Sequence, residues 1–189
     1  MLFYVMILFF ILQRVSEIVV GKRNMRNLQN EFLIRPPQLE TQQMIILHAG
    51  WFVALIGEFY FLGEEIGTGF FIAGIITLAL CQLVRFITMY QIGRDWVPMP
   101  VALPNQKIVS SGLFHYIRHP NYLVVMIEII LLPLLGKCYV TAFFFGLLNI
   151  FFLLRRIRIE EDALNMIPEY AKVFSMKKKL IPFLYNLMP

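Results

Sequence analysis

Residues 121–154 read NYLVVMIEIILLPLLGKCYVTAFFFGLLNIFFLL. Glu128 and Lys137 are the only charges in this run, and Gly136-Lys137 divides it into two short apolar arms. The pattern predicts a tight helical hairpin in a membrane, its arms spanning about residues 121–135 and 138–154. Two polar segments bracket it. KIVSSGLFHYIRHPNY (107–122) leads into the first arm, and RRIRIEEDAL (155–164) follows the second. They gather Arg, His, Tyr and paired Glu where the chain meets the membrane surface, a position where apolar side chains cost less.

The rest of the chain fits this setting. Its 189 residues are 59% hydrophobic and only 15% charged, with a mean hydropathy of +0.69, well above a soluble globular protein. The length predicts one membrane domain over 1–189, with a three-helix part at 1–92 and a second part at 93–189. Three further apolar stretches, about 2–20, 44–62 and 69–92, have the length of membrane spans. The expected fold is an all-α integral membrane protein with about five transmembrane helices. The N-terminal stretch lacks a basic leader and a small-residue cleavage site, so it reads as a retained helix rather than a signal peptide. Cys81 and Cys138 have neither a CxxC nor a zinc-ligand spacing, and no metal site is expected.

Fourteen of the 17 basic residues fall in three segments: 21–43, 93–120 and the tail from 155. The opposite side holds Glu64, Glu65 and Lys137. The positive-inside rule then places the three basic segments in the cytoplasm and the N-terminus outside. The net charge of +5 follows from this asymmetry and from attraction to anionic lipid. No basic stripe with interleaved aromatics lies outside the spans, so a nucleic-acid partner is not expected.

Several ionisable residues lie within the spans: Arg14, Glu17, His48, Glu58, Arg85 and Glu128. Charges in hydrocarbon are costly and turn to partners or cavities. Arg14 and Glu17, three apart, share a helix face. The set reads either as an ion-pair network bracing the helices or as a polar floor under a buried pocket. Glu58 lies near the outer end, where it can snorkel to water, and Gly57, Gly69 and Gly74 suit close helix packing.

In Arg118-His119-Pro120-Asn121-Tyr122, the residue before proline is pushed out of the α region. Pro120 itself suits the first turn of a helix, so a helix is expected to start there. Exposed N–H groups at that start, with Arg118 beside them, favour an anionic group. The plainer reading is an interface anchor, Arg for head groups and Tyr for the aromatic belt. Arg156 and Glu160 are four apart and can pair along a helix leaving the membrane; the plainer reading there is a solvated juxtamembrane helix. Together the segments say more. The hairpin returns to the side it started from and brings Glu160 and Glu161 beside the His119 loop.

GLFHYIRHPNY, a short hairpin, then R-x-x-x-E-E resembles the isoprenylcysteine carboxyl methyltransferase family over roughly residues 90–182, and the tail EYAKVFSMKKKLIP is similar to the family's closing segment. The resemblance implies a cytosol-facing pocket for S-adenosylmethionine in the C-terminal half. It places Lys107, Ile108, Val109, Phe114, His119, Pro120, Asn121, Tyr122, Glu160 and Glu161 at the cofactor, and Arg156 on the acceptor side, with Arg156 and Glu160 as the catalytic pair. The N-terminal half, with LQRVSEIVVGKRN and ILHAGWF, is similar to small bacterial members. Some of these are linked to O-methylation of long-chain alkylpyrones and alkylresorcinols.

The implied activity is transfer of a methyl group to an oxygen of a lipophilic acceptor, either a long-chain pyrone or phenol or a prenylcysteine carboxylate. A carboxylate needs only a cation such as Arg156 to orient it. A hydroxyl calls for a base or a stabilised oxyanion, for which His115, His119, Glu128 and His48 are candidates. The alternatives are a phospholipid N-methyltransferase, an NADPH-dependent reductase-like enzyme, and a non-enzymatic membrane scaffold. A transporter is disfavoured, because neither internal repeats nor broken midplane helices are visible.

Overall fold

A computed structural model describes residues 1–28, 38–64, 66–99, 102–103 and 108–174. Arg35, Glu65, Lys107 and the lysines at 177–179 lie outside the described residues. All regular elements among those described are helical. They are α1 (Leu2–Leu28), α2 (Gln38–Leu62), α3 (Thr68–Ile92), α4 (Pro120–Leu135), α5 (Tyr139–Leu164) and α6 (Pro168–Phe174), with 3-10 turns at Gly93–Asp95 and Gly112–His115.

Four helices, α1, α2, α3 and α5, are long and apolar enough to cross a membrane. At about 1.5 Å per residue, their 25 to 27 residues exceed the roughly 30 Å hydrocarbon layer. The expected fifth span, α4, has 16 residues, or about 24 Å. Pro120 starts it only after the polar motif, and the turn at Gly136 ends it. Instead of facing lipid along its length, α4 packs between α3 and α5 and buries Val124, Val125, Glu128, Ile129, Leu132 and Leu135. The outer faces of the long helices carry exposed Leu8, Leu12, Ile46, Val53, Ile72, Phe86 and Phe143, the surface a bilayer covers. The chain is a multi-pass membrane protein.

The core is built where the helical period brings apolar residues inward. Phe3, Ile7 and Phe10 of α1 meet Leu47, Trp51 and Leu55 of α2, and α4 supplies Val125, Ile129, Leu132 and Leu135. Trp51 Nε1 donates to Ile129 O at 3.2 Å. A Cβ on Gly74 would lie 2.4 Å from Leu135 Cδ2, so this glycine sets the approach of α3 to α4. Gly57 and Gly69 differ from expectation: a Cβ at either meets nothing within 4 Å.

The hairpin turn lies where the sequence places it, with an unexpected division of labour. Lys137, not glycine, takes the left-handed conformation (φ 54°) and ion-pairs with Glu64 at 2.6 Å. Gly136 is needed for space, since a Cβ there would lie 2.6 Å from Phe3 and 2.8 Å from Phe59. Glu58 does more than snorkel. Its carboxylate accepts the backbone N–H groups of Val140 (3.0 Å) and Thr141 (2.7 Å), capping α5 and its positive end. Cys81 and Cys138 are buried free thiols.

Candidate active site

The intramembrane charges close into a ring joining α1, α3 and α4. Arg14 bonds Glu17 at 3.0 Å and Glu128 at 2.7 Å. Arg85 bonds Glu17 at 3.0 Å and also Glu128. Gln13 adds a bond to Glu17 and Gln82 one to Glu128, each 2.7 Å. Each carboxylate therefore accepts three donors, and two guanidinium groups balance two carboxylates. Of the two readings of this set, bracing describes Arg85 and Glu128, which are fully buried. Arg14 and Glu17 also face a cavity.

The bracketing segments meet as the hairpin requires. His119 is the N-cap of α4 and Pro120 its first residue. α5 runs unbroken to Leu164 and carries Arg156, Glu160 and Glu161 back to that start. The expected direct pair of Arg156 with Glu160 is replaced by a shared partner: Arg156 Nε donates to Tyr122 Oη at 3.0 Å, and Tyr122 Oη donates to Glu160. Arg156 Nη2 also donates to Pro98 O at 2.6 Å, and the guanidinium lies over the Tyr122 ring, 5.6 Å from its centroid. The Tyr122 ring stacks on His119 with centroids 5.3 Å apart.

Glu161 turns the other way. Its carboxylate accepts from Arg118 Nη1 (2.6 Å), His119 Nε2 (2.8 Å) and Tyr170 Oη (3.2 Å). A carboxylate only accepts, so His119 Nε2 carries the proton in this bond. Arg118 also reaches Phe174 O, and Tyr170 stacks on Phe174 with centroids 4.6 Å apart. α6 is thereby latched over the start of α4. Burial, with the charge of Glu161 adding to it, raises the Tyr170 phenol well above its ordinary range, so it stays a neutral donor.

Two cavities flank this partition. The larger, about 500 Å³, lies among α1, α2, α4 and α5; apolar Ile11, Phe52, Val125 and Leu153 line it beside Arg14, His48, Tyr122 and Arg156. Val15, Ile18 and Ile45 line it while also being exposed on the outer surface, so it opens sideways between α1 and α2. The smaller, about 60 Å³, is lined by Ile108, Val109, Phe114, Arg118, Tyr170 and Phe174. His119 and Glu160 line both cavities.

The residues expected at the cofactor and the acceptor thus divide. Ile108, Val109, Phe114, His119 and Glu160 surround the smaller cavity, while Pro120, Asn121, Tyr122 and Arg156 line the larger. Glu161 binds the groups between them, and Lys107 lies outside the described residues. Reading the sequence missed Pro98, which holds Arg156, and Gln13 and Gln82, which complete the ring. Only Gln13 left a signal, four residues before Glu17.

Residues 73–166 match the model of the isoprenylcysteine carboxyl methyltransferase (ICMT) family. The chain is 29% identical to YpbQ of Bacillus subtilis, a protein described as uncharacterized, over 87% of this chain and 97% of that one. It is also 32% identical to an uncharacterized protein of Haemophilus influenzae, over 49% of this chain and 54% of that one.

Proposed function

The chain belongs to the isoprenylcysteine carboxyl methyltransferase family, a family of membrane methyltransferases, and on that premise we propose that it transfers a methyl group from S-adenosylmethionine to an oxygen of a lipophilic acceptor. The observation that carries this reading is the pair of cavities meeting at His119 and Glu160: the smaller is walled by charged and aromatic groups, and the larger is apolar and open to the side. Such an arrangement lets a water-soluble donor and a lipid tail approach one partition from different phases. The acceptor class is a long-chain phenol or pyrone, or a prenylated carboxylate. The polar side of the partition faces the cytoplasm and the N-terminus lies outside. Residues 93–189 carry the donor site, and α1 and α2 supply walls for the acceptor.

The smaller site fits the cofactor in kind. Glu160 offers a carboxylate, Arg118 and His119 are held in the wall by Glu161, and Phe114, Tyr170 and Phe174 offer flat apolar surfaces. Its about 60 Å³ is well below the roughly 300 Å³ of small-molecule sites, so the site must widen to admit the cofactor. When bound, S-adenosylmethionine supplies an activated sulfonium methyl. Glu160, held by Tyr122, fixes the boundary between the cavities. Arg156 bonds only neutral oxygens among the described residues and so keeps its positive charge for the acceptor oxygen. The apolar walls keep water from that oxygen.

The test is equilibrium binding of S-adenosylmethionine to the purified protein in lipid nanodiscs. Saturable binding by wild type, lost in Glu160→Gln and His119→Ala, supports the reading. No binding by folded wild type removes it.

A further inference from the structure

Resting on that reading, we propose that His48, which lines the larger cavity, is the proton acceptor for a hydroxyl-bearing substrate: its Nε2 takes the hydroxyl proton as the oxygen is methylated. Three other candidates are occupied or misplaced. His119 is bonded to Glu161, Glu128 is saturated by Arg14, Gln82 and Arg85, and His115 is exposed on its 3-10 turn. His48 remains. Its Nδ1 lies 2.7 Å from Met44 O, one helical turn earlier. A carbonyl only accepts, so Nδ1 carries the proton and Nε2 of the neutral ring is a lone pair. That Nε2 is buried with no partner on a residue lining the cavity. An unmatched buried acceptor is costly unless a ligand supplies the donor. Asn121, whose Oδ1 is also buried and unmatched, lines the same cavity, so two lining residues carry acceptors without a donor.

The charged groups facing this space are Arg14, Glu17 and Lys22 of α1, Arg156 and Glu160 of α5, and Asp95. Arg14 and Glu17 neutralise one another in the ring, and Glu160 is held by Tyr122. Arg14, Arg85 and Arg156 are all close enough to act on the His48 ring electrostatically, Arg14 the most strongly, and Arg156 lines the cavity where the negative charge grows as the proton leaves. In the balanced step, the acceptor oxygen forms its bond to the methyl carbon and its O–H proton moves to His48 Nε2. The broken sulfur–carbon bond leaves its electron pair on sulfur, giving a neutral thioether. The imidazolium then returns its proton to cytoplasmic water at the charged end of the cavity, where Lys22 and Asp95 line it.

The test uses a nitrophenol with a long alkyl chain, whose phenolate absorbs visible light, added to the protein in nanodiscs without any methyl donor. Wild type is expected to bind the probe and raise its phenolate fraction. His48→Gln, whose amide can still donate to Met44 O, is expected to bind it equally and leave it protonated. With donor present, turnover on pentadecylresorcinol should fall about 100-fold or more in His48→Gln with little change in KM, and N-acetyl-S-farnesylcysteine, a carboxylate, should show no such loss. Equal ionisation of the probe in wild type and His48→Gln overturns the proposal, as does failure of wild type to bind it. S-adenosylmethionine binding, measured in parallel, separates the cases: if it is intact the loss concerns His48 alone, and if it is absent the methyltransferase reading goes too.

Discussion

Replacing Glu128 with Leu tests whether the buried ring is held by charge balance or merely by its hydrogen bonds. Glu128 accepts from Arg14 and Gln82 at 2.7 Å each, and from Arg85. If only these three bonds mattered, the loss would be about 2 kcal/mol, at the roughly 0.6 kcal/mol measured for hydrogen bonds between membrane helices. The structure argues for more. Without Glu128, two guanidinium groups share the single carboxylate of Glu17, and Arg85 is 0% exposed, so one positive charge stays buried without compensation. Breaking a buried ion pair from one side costs roughly 3–5 kcal/mol. Arg85→Met leaves the opposite imbalance, and a comparable loss is expected. The double variant Arg85→Met/Glu128→Leu restores neutrality and keeps the Arg14–Glu17 pair, so it should lie within about 1 kcal/mol of wild type. Unfolding in mixed micelles, analysed as a double-mutant cycle, reads the coupling. A Glu128→Leu cost below about 2 kcal/mol, or a double variant as unstable as the two singles added together, refutes the charge-balance reasoning.

Other perturbations probe the latch and the partition. Glu161→Gln removes the charge that holds Arg118, His119 and Tyr170; trypsin should cleave faster at Lys172, and cofactor binding should weaken by about tenfold, the worth of one charge-assisted hydrogen bond. A Cβ on Gly21 would lie 2.2 Å from Pro98 Cδ, and Pro98 O holds Arg156. Gly21→Ala should therefore cost about 1–3 kcal/mol in thermal unfolding and reduce turnover, although Gly21 touches no part of the partition itself. The Tyr170 phenol is raised mainly by burial and next by Glu161. Its stabilising share is complete below about pH 10, the unfolded value, and is lost as pH rises toward the folded one. Wild type should accordingly lose stability relative to Tyr170→Phe only in strongly alkaline solution, measured by thermal unfolding across that range.

The elements governed by local rules were legible in the sequence. Length and apolarity found the long helices, Pro120 marked the start of α4, and Gly136-Lys137 marked the hairpin that carries Glu160 and Glu161 back to His119. What escaped depended on which helix lies across from which. The spacing of Arg156 and Glu160 permits a direct pair, yet both turn to Tyr122 on α4, because a phenol there can accept from one and donate to the other. Glu58 looks like a snorkelling carboxylate until the first turn of α5 is seen above it. Apolar α4 looks like a lipid-facing helix until its neighbours are seen to enclose it.

The same distinction sorts the polar atoms inside the membrane. Arg14, Glu17, Arg85 and Glu128 balance one another's charge, and Arg85 Nε, though buried and unmatched, belongs to a residue that lines neither cavity. Asn149 Oδ1 is buried and unmatched too, but it does not line either cavity, so its orphaned oxygen points to no ligand. His48 Nε2 and Asn121 Oδ1 combine both conditions: each lacks a partner, and each sits on a residue facing the space that opens toward the bilayer. Desolvation makes such atoms expensive in the empty protein, and the proposed acceptor, carrying its own O–H, would relieve that expense. A hydroxyl-bearing acceptor, as proposed, answers to what the protein leaves unsatisfied rather than to the motif it shares with its family.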